Sequence, residues 1–316
     1  LQLTKIKKIM KKEKCIILGS GPSGLTAAIY TARANLSPLV FEGTAPGGQL
    51  MGTTDVENFP GFPEGIVGPQ LINNMREQAK KFGARTEFKN IDRVDFSDEK
   101  NLKLYVGDEK FVTESVIIAT GASARWLNLE KGEEKYWGKG YTACATCDAA
   151  FFREKTVAVV GGGDSACEEA MFLTKFASKV YLLHRRDALR ASEPMIARVK
   201  ENEKIEIIWN TSVSDLRGEP ILSSVELTDT QTEEKSELEI NGLFMAIGHT
   251  PNTKFLEGQI DLGKGGYIDV TNHTKTNIPS VFVSGDVADY RYQQAITAAG
   301  AGCMAAIDVE TFLAEN

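Results

Sequence analysis

Histidine is nearly missing from this chain: His184, His249 and His273 are the whole supply in 316 residues. None stands at ligand spacing from a pair of cysteines, and a structural zinc site wants four such donors, so no metal centre is expected. Cysteine is sparse too. Five, an odd number in a chain this long, do not make the disulfide framework of a secreted protein, and a reducing cytoplasm is the expected setting. Positive charge is in deficit, with a net charge of −7. Phosphate neutralisation needs clustered Lys and Arg over a broad surface, which excludes nucleic acid as a partner. No apolar run approaches the roughly 20 residues that cross a bilayer, so no membrane association is expected. The Lys-rich start, LQLTKIKKIMKKEK (1–14), lacks both the apolar stretch of a secretory signal and the Arg and Ser richness of a transit peptide. Residues 1–13 therefore read as a flexible basic leader, with Met10 nearer a natural start.

The length suits two domains, and 42 % hydrophobic residues suffice for ordinary cores. KCIILGSGPSGLTAAIYTARAN (14–35) runs from a β-branched apolar segment through a glycine turn into an Ala-rich amphipathic pattern: strand, turn, helix. The same grammar recurs in TVAVVGGGDSACEEAMFLTKFA (156–177). Their first glycines, Gly19 and Gly161, lie 142 positions apart, too far for a solenoid repeat and suited to two nucleotide-binding units. Further apolar runs at 37–43, 115–122, 179–185, 242–248 and 280–286 mostly end at glycine and read as buried parallel strands. The polar alternation of VELTDTQTEEKSELEI (225–240) reads as a surface hairpin. The tail 291–314 has helical spacing and follows Gly285 and Asp286, which aims a helix N-terminus, with its free N–H groups, at the strand end.

Gly19-x-Gly21-x-x-Gly24 follows a strand and opens a helix, the context in which glycines let backbone approach a pyrophosphate. Glu42, eighteen residues beyond Gly24, ends the next strand, where an acid accepts hydrogen bonds from a ribose diol. The plainer reading is a glycine turn with no ligand. Gly161-x-Gly163-x-x-Ala166 repeats the arrangement, but HRRDALR (184–190) stands where the acid would be. Arg185, Arg186 and Arg190 bring three guanidinium groups to the place of a ribose 2′-oxygen, which favours NADPH over NADH; a solvated basic turn is the alternative. One acid-ended and one Arg-ended site suggest two cofactors, one holding a flavin and the other delivering hydride to it.

CATCD (144–148) puts Cys144 and Cys147 two residues apart and follows them with Asp148. Cys15, Cys167 and Cys303 are scattered through a strand and helices and read as small core residues, which leaves no metal set. A static bridge closing so small a ring gains little loop-closure entropy. Thiol–disulfide exchange needs an attacking thiolate and a resolving neighbour, which the pair supplies, and Asp148 is placed to shuttle protons.

These residues closely resemble the low-molecular-weight thioredoxin reductases. The likeness runs in order from about residue 13 through GSGPSG (19–24), APGGQL (45–50), ENFPGFP (57–63), ATGASAR (119–125), CATCD (144–148), GGGDSACEEA (161–170), HRRDALRAS (184–192), AIGHTPN (246–252), SGDVAD (284–289) and QAITAAGAGCMAA (294–306). The fold it implies is α/β, with two Rossmann-like dinucleotide-binding domains, the NADPH domain (125–248) inserted into a discontinuous FAD domain (14–124 and 249–316) and carrying the redox disulfide. Electrons would pass from NADPH to FAD, to the disulfide and then to thioredoxin. Cys147 would face the flavin, Cys144 would attack thioredoxin, and Asp148 would be the acid–base. FAD contacts are expected from Gly19, Ser20, Gly21, Pro22, Ser23, Gly24, Glu42, Gly48, Gln49, Asn58, Gly285, Asp286, Gln293, Gln294 and Ala295. NADPH contacts are expected from Gly161, Gly163, Asp164, Ser165, Ala166, Glu168, His184, Arg185, Arg186 and Arg190. The resemblance also implies a homodimer and a rotation of the inserted domain about residues 121–125 and 248–252. One departure is Gln293, where family members usually carry Arg. Two alternatives stay open: reduction of another protein disulfide, such as a glutaredoxin-like or peroxiredoxin-linked carrier, and a redox-sensing binding protein without turnover.

Overall fold

The structure is a computed structural model and describes residues 10–53, 55–129 and 133–316. The backbone divides into two compact units: the chain up to Ser123 together with Thr250–Asn316, and Ala124–His249. The expected domain crossings are 124/125 and 248/249; the compact units divide at 123/124 and 249/250.

The first unit begins with β1 (Met10–Leu18), α1 (Pro22–Arg33), β2 (Leu39–Phe41), α2 (Gly68–Lys81), β3 (Arg85–Glu87), β4 (Arg93–Asp95), β5 (Leu102–Val106) and β6 (Glu109–Ile118). The second unit follows with β7 (Tyr141–Thr142), α3 (Ala145–Asp148), β8 (Thr156–Gly161), α4 (Asp164–Leu173), β9 (Lys179–Leu183), α5 (Glu193–Glu201), β10 (Ile205–Ile208), β11 (Thr211–Arg217), β12 (Ser224–Asp229), β13 (Lys235–Glu239) and β14 (Gly242–Ala246). The chain then returns to the first unit with β15 (Val281–Val283) and α6 (Ala295–Glu315).

In the first unit the sheet order is β3-β2-β1-β6-β5-β4. The long strand β6 changes partner along its length, antiparallel to β5 at Phe111 and parallel to β15 at Ile117. Period-two alternation assigns the faces. Ile16, Leu18, Val116, Ile118, Val281 and Val283 enter one apolar cluster, while Cys15, Ile17, Ile117 and Phe282 enter another with Ala28 and Ala32 of α1 and Ala305 and Val309 of α6. Both faces are therefore covered, which is why these strands read as continuous apolar runs.

The expected leader needs correction at its end. Residues 1–9 lie outside the described residues, but Met10 to Glu13 are strand, paired in parallel with Lys110 to Thr113. The polar start of β1 is tolerated because Lys12 and Lys14 are exposed and Glu13 takes Arg85 as a partner (Nη1 to Oε1, 3.2 Å). A second correction concerns α6, whose length and composition would let it cross a membrane. Its Ala and Gly residues have a local reason: a Cβ on Gly302 would stand 2.1 Å from the Ser23 carbonyl oxygen, so this face of α6 must be bare for α1 to pack on it.

The second unit has an all-parallel sheet, β7-β14-β8-β9-β10, and an antiparallel one, β11-β12-β13. Val157, Val159, Val180, Leu182 and Phe244 pack with Ala166, Cys167, Ala170 and Leu173 of α4. The intervening Ala158, Leu183, Leu243 and Met245 pack with Val213, Leu216, Val225 and Leu227 of the antiparallel sheet. The expected hairpin is β12 and β13, lying between a covered face and solvent.

Candidate functional site

In the first unit the turn after β1 is shaped by close backbone approach. Gly19 has φ +110°, donates its N–H to Phe41 O at 2.8 Å, and has no room for a Cβ, which would stand 2.2 Å from Ala119 O. Gly24 is as tight, its Cβ position 2.0 Å from Gly19 O. Gly21 is the opposite case: a Cβ there meets nothing within 4 Å, and as N-cap of α1 it offers no side chain to the first-turn N–H groups. The turn is thus closed behind and open in front, the shape that lets a pyrophosphate reach a helix N-terminus. Pro22 opens α1, Ser20 Oγ accepts the Gly47 N–H at 2.9 Å, and Gly48 lies beside Gly21.

Glu42 directly follows β2 and is 2 % exposed, so it cannot stand uncompensated. Arg76 of α2 answers it with Nε and Nη2 on Oε2 at 3.0 and 2.8 Å. Gly285 (φ +77°) packs its Cα side on Ser23, whose hydroxyl meets that of Ser284 at 2.6 Å. Next to it, Asp286 is pushed up to about 7 by burial and secondarily by the charge of Asp289, and its Oδ1 has no hydrogen-bond partner among the described residues. A buried carboxylate oxygen without a donor fits a ligand hydroxyl. Gln49 gives its amide to Ala122 O at 2.8 Å, and Asn58 gives its own to Gln294 Oε1 at 3.3 Å. Gln294 caps α6 in a capping box with Thr297, ahead of Ala295, and Gln293 holds φ +48° with its amide 3.4 Å from the Tyr267 hydroxyl.

The second unit repeats the turn with different closures. A Cβ on Gly161 would stand 2.5 Å from Ala166 Cβ and 2.6 Å from Ala246 O, and one on Gly162 would enter the His184 ring at 2.2 Å. Gly163, N-cap of α4, is again open, with nothing within 4 Å. His184 is buried behind the turn, Nδ1 on Gly161 O at 2.8 Å and Nε2 on Ala188 O at 2.9 Å. Arg185, Arg186 and Arg190 are exposed, as are Asp164, Ser165 and Glu168.

Cys144 and Cys147 form a disulfide, with Cα atoms 5.3 Å apart, at the start of the short helix α3. Thr142 holds the start of the pair: its Oγ1 accepts the Cys144 N–H at 3.2 Å. Burial holds Asp148 above the usual carboxylate range, with the Thr142 hydroxyl opposing weakly. On the facing helix α4, Glu169 is pushed up to about 8 by burial; it accepts the Ala145 N–H, while its Oε2 has no partner among the described residues.

A family model, pyridine nucleotide-disulphide oxidoreductase, matches residues 13–302. The chain belongs to the pyridine nucleotide-disulphide oxidoreductases. It is 52 % identical to a thioredoxin reductase of Chlamydia pneumoniae over 96 % of this chain and 100 % of that one. To thioredoxin reductase 1 of Saccharomyces cerevisiae it is 49 % identical over 96 % and 99 %. Among solved structures, a thioredoxin reductase from Streptococcus pyogenes aligns with TM-score 0.91 at 38 % identity, covering 96 % of this chain and 99 % of that one.

For this oxidoreductase, sequence reasoning named the turns, the strand ends and the cysteine pair. It missed three side chains that act on them. Arg76 lies on an amphipathic helix and reads as surface; only the buried acid of Glu42 demands it. Glu169 reads as half of an acidic pair on a helix, and its burial comes from α3 packing over α4. Ser192 reads as a plain N-cap of α5, although its N–H and hydroxyl both bond Asp164 Oδ1, each at 2.8 Å.

Proposed function

We propose that this oxidoreductase is an NADPH-dependent thioredoxin-disulfide reductase, with FAD in the first unit and NADPH in the second. The observation that carries the reading is the Cys144–Cys147 disulfide set in the same unit as an Arg-ended dinucleotide turn and beside a buried acid. The net reaction balances as NADPH, a proton and a protein disulfide giving NADP⁺ and a dithiol. FAD held in the first unit would supply the two-electron redox chemistry that links a hydride donor to the disulfide. Gly21, Glu42 and Asp286 fit its pyrophosphate, adenosine ribose and ribityl hydroxyls, because the first offers open backbone and the others buried acceptors. The Cys144 thiolate attacks the partner's disulfide, Cys147 resolves the mixed disulfide by attacking Cys144, and Asp148, held above its ordinary range, gives or takes the proton.

The two half-reactions require the second unit to turn about residues 121–125 and 248–252. Gly121 (φ +67°) and Gly248 (φ +89°) support this, each with open space where a Cβ would be. A crosslink that freezes these crossings without slowing turnover would contradict it. A homodimer is supported by Tyr30 on α1 and by Ile296, Met304 and Ile307 on α6, all 43–49 % exposed. The free thiols Cys15, Cys167 and Cys303 support a reducing cytoplasm.

The test is anaerobic NADPH oxidation by the flavin-loaded protein, with and without oxidised thioredoxin, repeated with NADH. Consumption that needs thioredoxin and prefers NADPH is expected. A yellow protein that ignores thioredoxin would move the search to another disulfide partner.

A further inference from the structure

The three arginines expected at the 2′-phosphate sit on an exposed loop, and long exposed side chains on a loose loop bind phosphate poorly because ordering them costs entropy. This loop is not loose. Its near end is held by His184, whose ring nitrogens lie on Gly161 O and Ala188 O. Its outer side is held by the Asn210 N–H on Arg186 O at 3.2 Å and the Thr230 hydroxyl on Arg185 O at 3.2 Å. Its far end is pinned to the glycine turn itself, by the Arg190 N–H on Gly162 O at 2.6 Å and by Ser192, whose N–H and Oγ both go to Asp164 Oδ1 at 2.8 Å.

Asp164 of the turn therefore holds Ser192, two residues beyond Arg190, through a side-chain oxygen. Its position needs an explanation, because a carboxylate beside a phosphate site repels the ligand. The Ser192 bonds supply one: they hold the carboxyl below its ordinary range, and at the first turn of α4 the negative charge also meets the positive end of the helix.

We propose that Asp164 is a positioning residue for coenzyme choice: it fixes the Arg185–Arg190 loop through Ser192 and does not itself bind the nucleotide. The inference rests on the reading of this loop as the 2′-phosphate site. What it adds is that selectivity depends on a hydrogen-bonded anchor as well as on guanidinium charge. Asn at this position keeps an oxygen to accept both Ser192 donors and removes the charge, whereas Ala removes the anchor.

The test is calorimetric titration of the flavin-loaded oxidised protein with 2′,5′-ADP and with 5′-AMP, which lacks the 2′-phosphate. Asp164→Ala should weaken 2′,5′-ADP about tenfold, the scale of a hydrogen bond to a charged group, with a much smaller change for 5′-AMP. Asp164→Asn should stay within about threefold of the native protein, and Ser192→Ala, which keeps the N–H, should fall between the two. Equal weakening of both nucleotides, or a failure of Asn to rescue, would overturn the inference and leave Asp164 an ordinary helix-end residue. Arg185→Ala with Arg186→Ala is the separate control: if that pair leaves 2′,5′-ADP binding unchanged, the reading of the loop fails, whatever Asp164 does.

Discussion

At the first glycine turn a Cβ on residue 24 would stand 2.0 Å from the Gly19 carbonyl oxygen, whereas the second turn carries Ala166 at the same step, its methyl filling the space that a Cβ on Gly161 would need. Ahead of both turns, at Gly21 and Gly163, the space is open. The strand ends differ more. The first ends in a buried acid locked by Arg76, the second in three exposed arginines on an anchored loop. The turn is thus a shared shape with open backbone at the helix start, and on the reading proposed above the choice of nucleotide falls to the strand end. Neutral ribose hydroxyls need a fixed, desolvated acceptor; a hydrated, doubly charged phosphate is met at an open rim by guanidinium forks.

The comparison is sharpest at Glu42, because a buried pair broken on one side leaves a stranded charge. Glu42→Ala should destabilise the protein by about 3–5 kcal/mol in urea unfolding, whereas removing Arg185, exposed on its loop, should change stability by less than about 0.5 kcal/mol. Similar losses at both would erase the distinction between a locked and an open strand end. Next in size is the third turn position. Gly24→Ala forces a methyl against backbone and should cost about 3 kcal/mol and most of the bound flavin, read as absorbance per chain.

Glu169 gives the second unit its own pH dependence, as buried Asp286 does the first. Its carboxyl rises to about 8 from an ordinary value near 4.5, so between those values the folded chain keeps a proton that the unfolded chain has lost. Stability therefore falls as pH rises through this window. Glu169→Gln removes that slope, and its advantage over the native protein should grow from pH 5 to about 8 and then level off. Parallel urea midpoints across the range would show that Glu169 is not buried as described. The smallest effect is Ala166→Gly, expected to cost about 1 kcal/mol, the helix penalty of glycine, with coenzyme binding little changed.

Much of this was legible in sequence because it depends on neighbours in the chain. Glycine spacing, the strand before it and the helix after it carry the turn, and two cysteines with a following acid carry the redox site. What was not legible is set by partners distant in sequence. Arg76 is explained only by Glu42, Ser192 only by Asp164, and the burial of Glu169 only by α3. His184 could be counted among the nucleotide contacts from its place in HRRDALR, yet its ring is spent on two carbonyl oxygens behind the turn. The strand start at 10–13 was hidden because its sequence is charged and its partner, the long strand β6, lies about a hundred residues away.

The central claim is that electrons leave the flavin through Cys144 and Cys147, a group the first unit has no counterpart for. The most direct measurement is an anaerobic NADPH titration of the flavin-loaded protein beside Cys144→Ser and Cys147→Ser. Flavin and disulfide each take an electron pair, so the native chain should consume two NADPH equivalents per chain and either variant one, with thioredoxin reduction lost in both. A native stoichiometry of one, or a variant that still reduces thioredoxin, would contradict the account.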